Sequence, residues 1–147
     1  MGMEHRRVGR DVFVRLDAGD EMHASIRELS THGISAAAIT SGIGRIRNTV
    51  IGYLDAEGVY QKEVHEAPME LLSTQGNLAP GPDGPFTHIH IVGSDDNHVV
   101  QGGHLFEATV EVTAEMHLRV MDSGEDYSFK RVPTESEFVS LSFCDIE

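Results

Sequence analysis

Apolar and polar positions change period along the chain. Val12, Val14 and Leu16 alternate with Phe13 and Arg15, the period-two signature of a half-buried strand over 12–16. Asp17, Gly19 and Asp20 supply a turn and a helix cap. Met22, Ile26 and Leu29 then recur at i, i+4 and i+7, which places them on one face of an amphipathic helix. The pattern predicts a helix over 20–32, closed by Gly33 after Thr31 and His32. The remainder of the chain reads as strands. A small, buried strand is expected over 35–40, a turn at Ser41-Gly42-Ile43-Gly44, and a strand over 45–54. Asp55-Ala56-Glu57-Gly58 marks a hairpin that returns along 59–65. Residues 68–76 form the next strand, and the Gly/Pro-rich run 77–85 is expected to be a loop. Strands over 86–92 and 98–101 flank a turn at 94–97, the second ending at Gly102-Gly103. A long alternating run covers 108–120, and Phe129 with 138–143 supplies closing strands. One helix against many mostly antiparallel strands defines an α+β domain.

Length and charge narrow the picture. A chain of 147 residues suits one domain, and no linker or solenoid repeat divides it. The expected organisation is an N-terminal arm at 1–9 and a single domain at 10–147. Eleven Lys and Arg stand against 24 Asp and Glu, a formal net charge of −13. Phosphate backbones repel such a body unless its cations are segregated. The visible segregation is Arg6, Arg7, Arg10 and Arg15, which fits either a short nucleic-acid arm or a solvated, partly frayed terminus; the second is preferred. Cys144 is the one cysteine, which excludes an internal disulfide and a cysteine-based zinc site, and it reads as a buried or edge residue. The apolar stretches are strand-sized and no apolar run comes after the first arginines. The expectation is a cytoplasmic protein with no membrane span and no secretory signal.

The chemistry concentrates on histidine. His88 and His90 are two apart on a predicted strand, so both rings leave the same face. The chain then turns, runs back and reaches Gly102-Gly103-His104, where two glycines permit a bend and a close approach. Three imidazoles from adjacent strands suit a divalent ion: zinc first, with Fe, Ni, Mn or Co compatible with the same donors. Three protein ligands leave a position open for water or a small molecule, the arrangement of a catalytic or ligand-binding ion. His5, His23, His32, His65, His98 and His117 have no partner at ligand spacing and are read as ordinary surface residues. Glu107, three residues after His104, is a candidate general base or orienting carboxylate, or else a solvated strand residue. Arg45 is a candidate for holding an anionic substrate, or else a salt-bridged surface residue. Nucleophile-elbow, phosphate-loop and dinucleotide motifs are absent.

These residues also carry a resemblance. Thr87-His88-Ile89-His90, Gly102-Gly103-His104-Leu105 and Val112-Thr113-Ala114-Glu115 together resemble the PPC domain, the plant and prokaryote conserved domain. His32-Gly33-Ile34, Ser41-Gly42-Ile43-Gly44 and Pro68-Met69-Glu70-Leu71-Leu72-Ser73 fit as well, so the similarity spans nearly the whole chain. The resemblance implies a sandwich-like domain and a homotrimer with the histidines near a subunit boundary. Plant members join the domain to AT-hooks, Arg-Gly-Arg-Pro segments that enter the DNA minor groove. No such segment occurs here, which with the −13 charge argues against DNA as the partner. A more distant likeness, to acetolactate decarboxylase, implies zinc on His88, His90 and His104 in that order. Cupin barrels share His-x-His but usually add a glutamate four or five residues later, where this chain has Ser94 and Asp95.

Three functions compete on this reading. One is a metal-dependent site for a small molecule, enzymatic or binding, with Glu107 or Arg45 assisting. The second is DNA binding, and the third is a trimeric protein-interaction module.

Overall fold

The structure is a computed structural model that describes residues 2–121 and 129–143. Cys144 lies outside the described residues. The elements are β1 (Glu4–Val8), β2 (Asp11–Asp17), α1 (Met22–Glu28), a 3-10 turn (Leu29–His32), β3 (Ala37–Leu54), β4 (Tyr60–His65), β5 (Met69–Gly81), β6 (Gly84–Ser94), β7 (Val100–Val120), β8 (Phe129–Pro133) and β9 (Val139–Phe143). Seven strands form one antiparallel sheet in the order β1-β2-β7-β6-β5-β3-β4, with β3 also paired to β7. β3 thus has β5 along one edge and β7 along the other, and the sheet rolls around its core. β8 and β9 make a separate hairpin. The α+β architecture read from the sequence is the one observed.

The core follows from the two periods. Val12, Val14 and Leu16 point inward from β2, and Ile89 and Ile91 from β6. Met22, Ile26 and Leu29 close over them from the helix, all fully buried. Glu21 caps the helix by accepting a hydrogen bond from the Ala24 N–H at 2.7 Å, and Gly33 ends it at φ 77° in the left-handed region. The helix therefore starts near its expected position and tightens to a 3-10 turn at its end.

Four expectations are corrected. Residues 4–8 of the presumed arm form strand β1, paired with β2 from Glu4↔Arg15 to Val8↔Asp11, because backbone pairing at an open sheet edge holds them. Ser41–Gly44 is no turn; it lies inside the 18-residue strand β3. Its glycines admit neighbours: a Cβ on Gly42 would sit 2.7 Å from the Thr74 Cβ, and one on Gly44 would sit 2.2 Å from the Thr113 carbonyl oxygen. The run 77–85 is no open loop. Its ladder continues from Asn77↔His88 to Gly81↔Gly84 and turns at Pro82-Asp83. Finally, Gly102-Gly103 does not end a strand; β7 passes through it unbroken for 21 residues.

Candidate metal centre

The site grows from one register. β6 carries His88 and His90 on the face opposite the buried Thr87, Ile89 and Ile91. β7 brings His104 directly opposite His90 as its ladder partner. Gly102 and Gly103 let the strands close there: a Cβ on Gly102 would lie 2.5 Å from the Ile91 carbonyl oxygen, and one on Gly103 2.8 Å from that of Gly52. The pair is thus needed for close approach, as expected, while the strand runs on through it.

The three rings form a near-equilateral cluster, with centroids 5.0 Å (His88–His90), 5.0 Å (His88–His104) and 5.2 Å (His90–His104) apart. One nitrogen from each lies within 4.8 Å of the others. The Nε2 atoms of His88 and His90 face each other at 3.1 Å. An ion with tetrahedral bonds of about 2.0–2.1 Å would hold its nitrogens about 3.3 Å apart, so this pair already has the separation a shared ion needs.

Electrostatics favours the neutral, ligating form. Burial pushes His88 down to about 4, helped by the charge of Arg131 and by His90 and His23. Burial also pushes His104 down to about 4, helped by His88 and His90. The unfolded chain takes up these protons near the ordinary value of 6.5, whereas the folded chain resists until about 4. Between those values the unfolded state binds more protons, so stability falls as pH falls. In chelator-treated protein, the melting temperature should drop from pH 6.5 toward pH 4, and drop less in His88→Gln/His104→Gln. Equal acid sensitivity in both proteins would contradict this.

His23 is not a surface residue: it is buried at the seam between β6 and β7. The β6–β7 ladder runs from Ser94↔Val100 to His90↔His104, and beyond it the ring of His23 bridges the two strands. Its Nε2 lies 2.8 Å from the Leu105 carbonyl oxygen and its Nδ1 2.7 Å from Thr87 Oγ1. A carbonyl only accepts, so Nε2 carries the proton and Nδ1 accepts from the threonine hydroxyl. Burial pushes its pKa down as well, in keeping with a neutral ring. His117 also has partners: its Nε2 is 2.9 Å from Asp11 Oδ1, and its Nδ1 meets the Thr40 hydroxyl.

A cleft of about 280 Å³ opens over the cluster. His88 and His104 line it, and Tyr60, Phe86, Phe106 and Phe138 supply aromatic walls. The Tyr60 and Phe106 rings stand 4.8 Å and 4.6 Å from that of His104. Neither non-histidine candidate from the sequence lines this cleft. Glu107 is exposed and faces Val50 across the ladder. Arg45 donates to Glu70 at 2.9 Å and to Asp96 at 3.0 Å, the salt-bridged alternative. Arg131, which no motif singled out, instead reaches the cluster from β8. It is 4% exposed, and its Nη2 lies 3.4 Å from His88 Nδ1.

Fold and site define a class: a single rolled antiparallel sheet that presents three converging imidazoles beside an aromatic cleft. The chain belongs to the Plants and Prokaryotes Conserved (PCC) domain family, whose model matches residues 3–122. A metal-containing protein from Archaeoglobus fulgidus is 36% identical, with a TM-score of 0.76 over 100% of this chain and 99% of that one. A plant- and prokaryote-conserved protein from Pyrococcus horikoshii is 27% identical, with a TM-score of 0.79 over 98% and 96% of the two chains. A candidate DNA-binding protein from Bacteroides thetaiotaomicron shares the fold at 17% identity, with a TM-score of 0.84 over 96% and 97%. No curated protein matches the sequence. Among the described residues, no helix is long and apolar enough to cross a membrane.

Proposed function

We propose that His88, His90 and His104 hold one divalent metal ion, zinc by the nature of the donors, with a position left open toward the cleft for a small-molecule ligand. The observation that carries this is the convergence of three imidazoles, two of them held neutral at pH 7 by burial, on one point of a rigid ladder. The name of the Archaeoglobus fulgidus relative, a metal-containing protein, points the same way. When bound, such an ion polarises a carbonyl or acidifies a water molecule. The chain's own residues do the rest: the two strands fix the rings, and the aromatic walls exclude water from one side.

We read the working form as a homotrimer. Val92 and Val100 continue the histidine face of β6 and β7 and are 39% and 59% exposed. His90 itself is exposed. Apolar side chains left open beside a polar site fit burial against further copies. DNA is the weaker reading. The charge of −13 opposes it. Of the N-terminal arginines, Arg15 is engaged by Glu4 at 2.9 Å and Asp17 at 3.0 Å.

Elemental analysis of the purified chain, with its native mass measured before and after chelation, tests the proposal. The expected result is about one ion per chain in a trimer. Negligible metal after expression with zinc would overturn the metal assignment, and a monomeric mass would overturn the assembly.

A further inference from the structure

A buried guanidinium needs a counter-charge, because taking its charge out of water costs several kcal/mol unless that charge is paired. Arg131 is 4% exposed, yet its partners are neutral. Nη1 donates to the Val139 carbonyl at 3.1 Å, and Nη2 donates to Asn77 Oδ1. Its Nε is buried with no hydrogen-bond partner. Among the described residues, no carboxylate lies within ion-pair distance of it. Three of its neighbours line the cleft: Val139, His88, and Phe86, whose ring centroid is 5.6 Å from the guanidinium carbon.

We propose that Arg131 recognises the carboxylate of a small organic acid lying in the cleft beside this guanidinium and the histidines. The inference rests on the metal reading for its second anchor, since a bound ion adds positive charge at the other end of the same space. Three cations of this acidic chain stand at or beside the cleft. Of eleven Lys and Arg, Arg131 lies against the cleft, Arg27 lines it, and Lys62 sits 4.3 Å over the Phe106 ring. Glu137 also lines the cleft, and its Oε2 is occupied by the Tyr60 N–H at 2.7 Å. The resulting field favours an anion. A volume of about 280 Å³ with walls of Tyr60, Phe86, Phe106 and Phe138 selects a small acid with an apolar or aromatic body.

Calorimetric titration at pH 7 with a series from acetate and isovalerate to benzoate and phenylacetate, each against its amide, tests this on zinc-supplied and chelator-treated protein. At least one acid should bind, and its amide should bind on the order of tenfold to a hundredfold more weakly, the worth of a charged hydrogen bond. Arg131→Gln should erase that preference while leaving zinc content and circular dichroism unchanged. Arg131→Lys should keep part of it, and it serves as the deciding variant if the glutamine protein does not fold. No binding across the series, acid and amide binding equally, or an undiminished preference in the folded variants would overturn the inference. Discrimination by a wild-type protein that holds no zinc would sustain Arg131 and defeat the metal reading. Zinc without discrimination would do the reverse.

Discussion

Replacing His104 by Ala should weaken zinc binding by a factor of about 100 or more, measured by competition against a chromogenic chelator. Loss of a residue that merely orients a ligand typically costs about 10- to 100-fold, and loss of the ligand itself should cost at least that much. His104 is the single β7 member of the cluster, and it faces His90 across the ladder. Without it, the two remaining imidazoles come from one strand and bind the ion from one side. The substitution should not cost the fold. Burial disfavours the charged form of His104, and its ring contacts are with Tyr60, Phe106 and the other two histidines rather than with the main core. Unchanged zinc affinity in a folded His104→Ala protein would remove β7 from the site.

Gly76→Ala should be the most destabilising single methyl addition near the site. Gly76 is the ladder partner of Ile89, between the partners of His88 and His90. A Cβ there would lie 1.9 Å from the His88 carbonyl oxygen and 3.0 Å from the Ile89 Cα. Both obstacles are backbone, so no rotamer change relieves them and β5 must move off β6. Overpacking of this kind costs about 3 kcal/mol, which for a chain of this length lowers the melting temperature by roughly 6–12 °C. Zinc affinity should fall with it, because β6, the strand that loses its β5 partner there, carries two ligands. Gly33→Ala is the contrast: nothing lies within 4 Å of its Cβ, and only φ 77° opposes it. That substitution should cost about 1–2 kcal/mol and leave zinc binding intact. A Gly76→Ala protein as stable as wild type would mean that β5 and β6 are less tightly paired than described.

The parts of the molecule readable from sequence are those that depend on local period. The helix face of Met22, Ile26 and Leu29 and the shared face of His88 and His90 follow from side-chain direction alone. The histidine cluster needs one further step, the return of β7 to β6, which the turn at 94–97 signals. The errors share a cause. Gly42, Gly44, Gly102 and Gly103 read locally as places where the chain turns, ends or bends. They are places where another strand comes too near for a Cβ, and only the tertiary partner separates these meanings. Pro80, Gly81 and Pro85 look like loop for the same reason, although they pair at a hairpin tip. His23 leaves a usable signal: it stands three residues before Ile26, at the edge of the apolar stripe. Arg131 leaves none, because its burial depends on β8 and β9 folding against β5 and His88. Glu107 is a candidate through nearness to His104 in sequence, and Arg45 through its place after Ser41-Gly42-Ile43-Gly44. Arg45 lies at a solvent ion pair and Glu107 is exposed on β7, outside the cleft.

The most direct measurement is anomalous X-ray scattering from crystals of the zinc-supplied protein, recorded above and below the zinc absorption edge. An edge-dependent peak is expected among the three rings, about 2.0–2.1 Å from His88 Nε2, His90 Nε2 and a nitrogen of His104. A water molecule or a small acid should fill the remaining position on the cleft side. No peak, with the His88 and His90 nitrogens joined by a hydrogen bond instead, would contradict the metal assignment.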